Sequence, residues 1–138
     1  MQLTQHTDLG IRLLIALAQS DGAPMPLTRF AEDQGLSYHH VAKVAQTLVR
    51  VGMLVSHRGR NGGVSLAHTP QDLRIGEVVR VLEPNMQIAD CPKCKLRPEC
   101  SARDMFDEAL AAFMAVLDAQ TLARAARSRE TGAADVQP

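Results

Sequence analysis

Three cysteines, Cys91, Cys94 and Cys100, lie close together and are the only cysteines in the chain. Pro92 and Pro98 interrupt the same stretch, which therefore cannot be an uninterrupted helix, because proline lacks an amide donor and clashes with the preceding turn. Cysteines used as apolar fillers scatter through a core, whereas these cluster on polar, irregular backbone. Three thiols also cannot all pair within one chain. The spacing therefore favours a metal or iron–sulfur site over disulfides or packing.

The composition indicates one domain with a largely aliphatic core. Hydrophobic residues make up 46% of the 138 residues, but only 3% are aromatic and there is no Trp. Such a core suits helices better than sheets. The N-terminal residues lack the basic and then apolar order of a signal peptide, and no apolar run approaches the length of a membrane span. We therefore expect a cytoplasmic protein with no membrane association.

The charges are distributed unevenly although the formal net charge is zero. Residues 34–71 contain no Asp or Glu, yet they hold Lys43, Arg50, Arg58 and Arg60 together with four histidines. A phosphate backbone responds to the local field rather than to the net charge, so this stretch favours nucleic-acid binding. Chance clustering of few charges is the alternative.

A helix pair is predicted in the first part of this basic stretch. A helix over residues 7–19, capped by Thr7 or Asp8, precedes it. The pair itself covers residues 28–34 and 37–51, with Gly35 ending the first helix and Ser37 capping the second. The second helix has an apolar inner face and an outer face of donors without an acid. A helix–turn–helix (about 28–51) places such a face in the major groove.

A β-hairpin is predicted directly after the helix pair. Residues 53–57 and 64–67 read as strands, and the Asn-Gly-Gly turn between them tolerates the positive φ angles that a tight hairpin needs. Two arginines at its tip suggest a DNA-contacting wing (about 53–67), with an ordinary solvated hairpin as the alternative. The predicted DNA-contacting residues are Thr28, Ser37, Tyr38, His39, His40, Lys43, Thr47, Arg50, Arg58, Arg60, Asn61, Gly62 and Gly63.

The C-terminal part is predicted to hold the sensor and the oligomer contact. After a helix over residues 75–83, residues 84–100 form the cysteine loop. A single amphipathic helix over 101–128 follows, and its length favours a dimer seam. Residues 129–138 are predicted to be disordered. The expected fold is mainly α with a small β-hairpin: a winged helix–turn–helix domain (1–83) plus a long C-terminal dimerisation helix.

Several stretches resemble a known family. They are Met1-Gln-Leu-Thr, Thr7-Asp-x-Gly-x-Arg, Arg58-Gly-Arg-Asn-Gly-Gly, Arg74-Ile-Gly-Glu-Val-Val-Arg and Leu82-Glu-Pro. With the cysteine loop, they are similar to the winged-helix iron–sulfur transcription regulators, and among these to the nitrite-sensitive, nitric-oxide-responsive repressors. The resemblance runs from residue 1 to about residue 122. It implies a homodimer that binds an inverted-repeat operator in double-stranded DNA while its cluster is intact and releases it when nitric oxide attacks.

The cysteine spacing departs from this family. Only two residues separate Cys91 from Cys94, fewer than the family usually has, whereas the spacing from Cys94 to Cys100 is kept. The nuclearity, 4Fe-4S or 2Fe-2S with one cluster per subunit, therefore stays open. The resemblance implies that Asp8, supplied by the partner subunit, completes the three thiolates. A helix cap is the alternative role for Asp8. The sibling branch that senses cluster supply has a ligating histidine three residues after its third cysteine. This chain has Arg103 at that position, so it resembles that branch less.

Three other functions remain open. The same fold can serve an iron-status or redox-sensing regulator of this superfamily, or a regulator structured by zinc through the Cys91–Cys94 pair. A thiol-redox enzyme using Cys-Pro-Lys-Cys is the third, although the strand-then-helix context of such a motif is missing. The sequence shows no phosphate-binding glycine loop and no convincing nucleophile–base pair, so we expect no catalysis.

Overall fold

The computed structural model describes residues 1–96 and 99–127, so the tail predicted to be disordered (129–138) lies outside the described residues, as do 97–98 of the cysteine loop. The described part is mainly helical with one small antiparallel hairpin, which confirms the predicted fold class. The elements are α1 (Gln5–Gln19), α2 (Leu27–Gln34), α3 (Tyr38–Arg50), β1 (Leu54–His57), β2 (Gly63–Leu66), α4 (Ile75–Leu82), α5 (Ala102–Asp118) and α6 (Leu122–Ala125), with a 3-10 turn at Cys91–Lys93.

Helix α1 lies at the centre and packs against α3, α4 and α6. Its leucines at 13, 14 and 17 are at most 4% exposed, as expected for a helix that is apolar around most of its circumference. The predicted start was wrong. Thr4 is the N-cap, with extended backbone angles, and its hydroxyl accepts the Thr7 amide at 3.4 Å, so neither Thr7 nor Asp8 caps the helix.

The helix–turn–helix forms where it was predicted. Helix α2 ends at Gly35, which has φ +63° and so takes the left-handed conformation that glycine adopts easily. Helix α3 buries the four residues of its predicted inner face against the core: Val41, Val44, Ala45 and Leu48.

The hairpin is anchored to the segment before α2. Strands β1 and β2 pair antiparallel from Leu54 opposite Leu66 to His57 opposite Gly63. Val64 also exchanges two backbone hydrogen bonds with Met25, at 2.9 and 3.0 Å. A side chain at Gly63, whose φ is +150°, would collide with the Met25 backbone. Glycine is therefore required there by the close approach of two backbones.

The predicted single helix over 101–128 is not continuous. Helix α5 stops at Asp118, and Thr121 caps the short α6 by accepting the Arg124 amide at 3.1 Å. Leu122 is fully buried, and its amide donates to the Leu73 carbonyl at 2.8 Å. The chain folds back onto α1 because burying Leu122 and closing these backbone bonds outweighs continuing an exposed helix.

A bidentate ion pair joins α4 to α5. The Arg80 guanidinium donates to both Asp118 carboxylate oxygens, at 2.6 and 2.7 Å. These bonds lower the pKa of Asp118. Gly76 lies beneath this pair, and a Cβ there would collide with the Asp118 side chain and stand 3.0 Å from its backbone nitrogen. The absence of a side chain at residue 76 thus allows α5 to approach α4. None of the helices within 1–96 and 99–127 has the length and apolar character to cross a membrane.

We expect Gly76→Ala to destabilise the protein. Overpacking typically costs about 1–3 kcal/mol, of which the better helix propensity of Ala offsets up to about 1 kcal/mol. A lower urea midpoint at unchanged slope is the expected result. As the control, Gln46→Ala at an exposed site of α3 should change the free energy of unfolding by no more than about 0.5 kcal/mol. Equal stability of the Gly76→Ala and wild-type proteins would show that α5 is not held so closely.

Candidate DNA-binding surface and cysteine loop

The outer face of α3 is the first half of a candidate DNA-binding surface. The predicted residues at its start are solvent-exposed, and Tyr38 is 54% exposed although it is large and partly apolar. Ser37 occupies the N-cap position, but its side chain makes no capping hydrogen bond. The Thr47 hydroxyl donates to the Lys43 carbonyl at 3.2 Å, so this side chain is partly engaged by its own helix. The other exposed members of this face are His39, His40, Lys43 and Arg50.

The hairpin tip is the second half of this surface. Arg58, Arg60 and Asn61 are exposed. Gly62 is half-buried, and a Cβ there would collide with the His57 carbonyl, so the turn requires glycine at this residue whatever the wing contacts. Thr28 is exposed near the start of α2, as its predicted role requires.

The cations of this surface are not neutralised by the protein. Within residues 1–96 and 99–127, the ion pairs involve other basic residues: Arg12, Arg29, Arg80, Lys93 and Arg103. Lys43, Arg50, Arg58 and Arg60 have no carboxylate partner in that part of the chain. A cation without a carboxylate partner attracts an external anion more strongly than a paired one does. The surface is therefore suited to a phosphate backbone.

The cysteine loop presents three free thiols. Cys91 is half-buried, whereas Cys94 and Cys100 are exposed. The 3-10 turn closes through the Cys94 amide, which donates to the Cys91 carbonyl at 3.1 Å. The Leu96 amide donates to the Cys94 sulfur at 3.5 Å. Backbone donors to sulfur stabilise a ligating thiolate and tune the potential of iron–sulfur centres.

The three cysteine thiols are suitable ligands for an iron–sulfur cluster, but the loop does not bring them together around one point. Among the described residues, no three His, Cys, Asp or Glu side chains come together in a way that could hold a metal ion. Cluster binding would therefore require the loop to bring Cys91, Cys94 and Cys100 together. An exposed, irregular segment can do so at lower cost than a packed one, because few buried contacts must break.

Asp8 lies in the first turn of α1. The Arg12 guanidinium holds its carboxylate through contacts of 2.7 and 3.1 Å, and the Asp8 side chain is 48% exposed. Since Thr4 provides the cap, the capping role considered for Asp8 is excluded. Its carboxylate is oriented by one charged neighbour and stays accessible from outside the subunit.

Sequence reasoning missed Glu83. Its carboxylate accepts the Thr7 hydroxyl at 2.6 Å and both the amide and hydroxyl of Thr4, at 3.0 and 3.1 Å. Burial alone would raise its pKa, but these hydrogen bonds from Thr7 and Thr4 leave the pKa lower than usual. The Leu-Glu-Pro stretch drew attention to this residue only as a family marker, since nothing local reveals partners 76 and 79 residues away.

Comparison with known proteins agrees with this architecture. The family model of Rrf2, described as an iron-dependent transcriptional regulator, matches residues 3–128. The chain is 38% identical over 128 residues to the HTH-type transcriptional regulator NsrR of Shouchella clausii, covering 88% of this chain and 86% of that protein. It is 37% identical over 136 residues to NsrR of Bacillus subtilis, covering 94% and 93%.

Solved structures show the same fold. CymR, the global cysteine regulator of B. subtilis, superposes with a TM-score of 0.77 at 26% identity, covering 91% of this chain and 96% of that one. IscR of T. potens superposes with a TM-score of 0.74 at 28% identity, covering 91% and 85%. On the family match and the identities to its relatives, the chain belongs to the Rrf2 family of transcriptional regulators and is an NsrR-type member of it.

Proposed function

We propose that this regulator is a homodimeric, cytoplasmic repressor whose grip on an inverted-repeat operator depends on an iron–sulfur cluster and is lost when nitric oxide attacks that cluster. The proposal rests on two features that occur together in one small domain. The first is the candidate DNA-binding surface, whose cations have no carboxylate partner within the described residues, and the second is the cysteine loop with its three free thiols. The NsrR relatives support the choice of signal over other regulators of this fold.

The DNA-binding part follows from the position of the cations. Lys43, Arg50 and Arg58 would contact phosphates and supply salt-dependent affinity, because each such contact releases condensed counterions. The first turn of α3, from His39 to Lys43, would contact base edges in the major groove and supply specificity. Arg60 and Asn61 extend the same surface at the wing.

The dimer contact is proposed for the outer face of α5. The sequence predicts one apolar stripe along this helix, formed by Phe106, Leu110, Phe113, Met114 and Leu117 and extended by Ala109, Ala112 and Val116. The stripe divides: Met114 is buried, and Leu110, Phe113 and Leu117 pack against the core. Beside them, residues at spacings of four, three and four stay exposed and are small or apolar throughout: Met105, Ala109, Ala112 and Val116. Helices pair through stripes of this spacing, and two copies of this face would be self-complementary.

The sensor would be shared between subunits. Cys91, Cys94 and Cys100 of one chain would hold the cluster, and Asp8 of the other chain would complete it, with Arg12 orienting the carboxylate. An iron–sulfur cluster supplies iron that reacts with nitric oxide. A carboxylate is a harder ligand than thiolate and so makes its iron the weakest position of the set. A ligand from the partner would link cluster integrity to the spacing of the two recognition helices, which are the α3 helices of the two subunits.

The cysteines are tested by replacing all three with serine. Anaerobically isolated wild-type protein should be brown and lose both colour and operator binding on exposure to nitric oxide, whereas the triple variant should be colourless and bind the operator weakly throughout. Absorbance spectroscopy paired with a DNA-shift assay measures both. A colourless wild-type protein containing zinc would favour the zinc-structured regulator, and a triple variant that still binds and still responds to nitric oxide would refute the proposal.

The wing is tested by Arg60→Ala in the cluster-loaded protein. Loss of one phosphate contact should weaken operator binding and reduce the salt slope of the affinity by about one. Arg124→Ala on α6 removes an exposed arginine elsewhere and serves as the control, with no expected change in either quantity. Equal affinity and equal salt slope for the wild-type and Arg60→Ala proteins would exclude a DNA contact by this side chain.

The carboxylate ligand is tested by Asp8→Ala. The variant should still load a cluster through its thiols, but its visible absorbance and its rate of reaction with nitric oxide should change, because one iron has lost a ligand. Asp33→Ala removes a similar exposed ion pair, that with Arg29, and should leave both unchanged. Identical spectra for Asp8→Ala and wild-type protein would remove Asp8 from the ligand set.

A further inference from the structure

Glu83 joins two segments that bear the proposed ligands. It is the C-cap of α4 and lies directly before Pro84, where the cysteine loop begins. Its carboxylate accepts three hydrogen bonds from the start of α1, one turn from Asp8. The Thr7 hydroxyl that donates the shortest of them belongs to a fully buried residue, the one buried polar residue within 1–96 and 99–127. A buried hydroxyl is costly to leave unpaired, so the contact is strongly favoured.

The backbone around Glu83 is restricted. Residues before proline are excluded from helical angles, and Glu83 has φ −87° and ψ 114° accordingly. Its amide donates to the Val79 carbonyl at 2.8 Å, which fixes it to the last turn of α4. A displacement at Pro84, where the cysteine loop begins, therefore meets a backbone at residues 83 and 84 that has few alternative conformations.

From α1 the path continues to the recognition helix through close packing. Gly10 lies against Leu82, the residue before Glu83, so closely that a Cβ would collide with its side chain. The same Cβ position stands 3.3 Å from a methyl group of Val44 in α3. One turn of α1 is thus in contact with the end of α4 on one side and with the recognition helix on the other.

We propose that Glu83 is a positioning residue that transmits the state of the cysteine loop to the start of α1, and through α1 to the recognition helix. The inference rests on the proposed function, because it supposes that cluster loading changes the loop. Three donors converge on one carboxylate, so a shift of the loop either carries Thr4 and Thr7 with it or breaks their hydrogen bonds. Both outcomes alter the turn that holds Asp8.

The test compares two quantities in the full-length dimer. The first is amide hydrogen exchange in the first turns of α1, which reports on the contact whether or not a cluster is present. The second is the ratio of operator Kd without and with the cluster, which reports on coupling. In Glu83→Ala, exchange at Thr7 and Asp8 should rise about tenfold or more. The wild-type ratio, expected within about 5–150, should fall toward one.

Three further variants separate transmission from mere support. Glu83→Gln keeps an accepting oxygen and the side-chain length, and should restore part of the ratio. Thr7→Val removes the main donor and should act like Glu83→Ala, which keeps the question answerable if that variant fails to fold. Arg80→Gln breaks a different polar contact of α4, the ion pair with Asp118, and should leave the ratio at its wild-type value.

The outcomes are distinct. The proposal is supported if Glu83→Ala and Thr7→Val both show faster amide hydrogen exchange at the start of α1 and a Kd ratio close to one. Arg80→Gln must at the same time keep the wild-type Kd ratio. Raised exchange with an unchanged ratio shows a structural contact only and overturns it, as does an equal loss in Arg80→Gln. A wild-type ratio of one overturns the proposed function, and the transmitting role falls with it. Loss of the cluster's absorbance in Glu83→Ala would instead place the residue in cluster retention and overturn the proposal as well.

Discussion

The burial of α1 between the recognition helix and α4 is the constraint on which the rest of the structure depends. Leu13 and Leu14 are at most 1% exposed, so a shift of α1 must displace the helices packed against it. Several parts of the chain are attached to this helix. The recognition helix packs on it, α6 folds back onto it, and the segment before the cysteine loop is hydrogen-bonded to its first turn. The central position of α1 therefore provides a short path from the cysteine loop to the candidate DNA-binding surface.

The second feature that organises the molecule is the separation of charge. The chain is neutral overall, yet the acids near the helix–turn–helix lie on α2, where Asp33 pairs with Arg29, and none occurs in residues 34–71. The basic side chains of α3 and the wing are consequently left without protein partners in the described part of the chain. Separation of charge within a neutral protein avoids the self-repulsion of a strongly basic one while keeping a field at one surface.

Much of the candidate DNA-binding surface could be predicted from the sequence, because the patterns that predict its helices and its turn are local. The apolar spacing of α3, the ending glycine of α2 and the Asn-Gly-Gly turn each depend on neighbouring residues only. The cap at Thr4 is local as well, since its hydroxyl accepts the amide three residues along the chain. The break after Asp118 and the Glu83 contacts could not be predicted in this way. Each depends on what the folded chain places alongside: Thr4 and Glu83 on each other, and Leu122 on a site beside Leu73.

The cysteine loop differs from the rest because neither sequence nor fold determines its arrangement. Its spacing identifies donors, and the structure shows them free and largely exposed, but ligand sets of this kind are ordered only when the metal binds. The contrast with the core is instructive. Packing fixes α1 within the chain, whereas the thiols are left in a segment that a bound group can still shape.

The paired backbone bonds between Met25 and Val64 have a consequence for the proposed dimer on DNA. They tie the base of the hairpin to the residues leading into α2, so the hairpin and the helix pair are joined directly through their backbones. A unit joined in this way would not weaken its binding to one half-site by moving the hairpin away from the helices. Control over binding by the proposed dimer would then act on the distance and angle between the two copies, which would make the geometry of the pair the adjustable quantity.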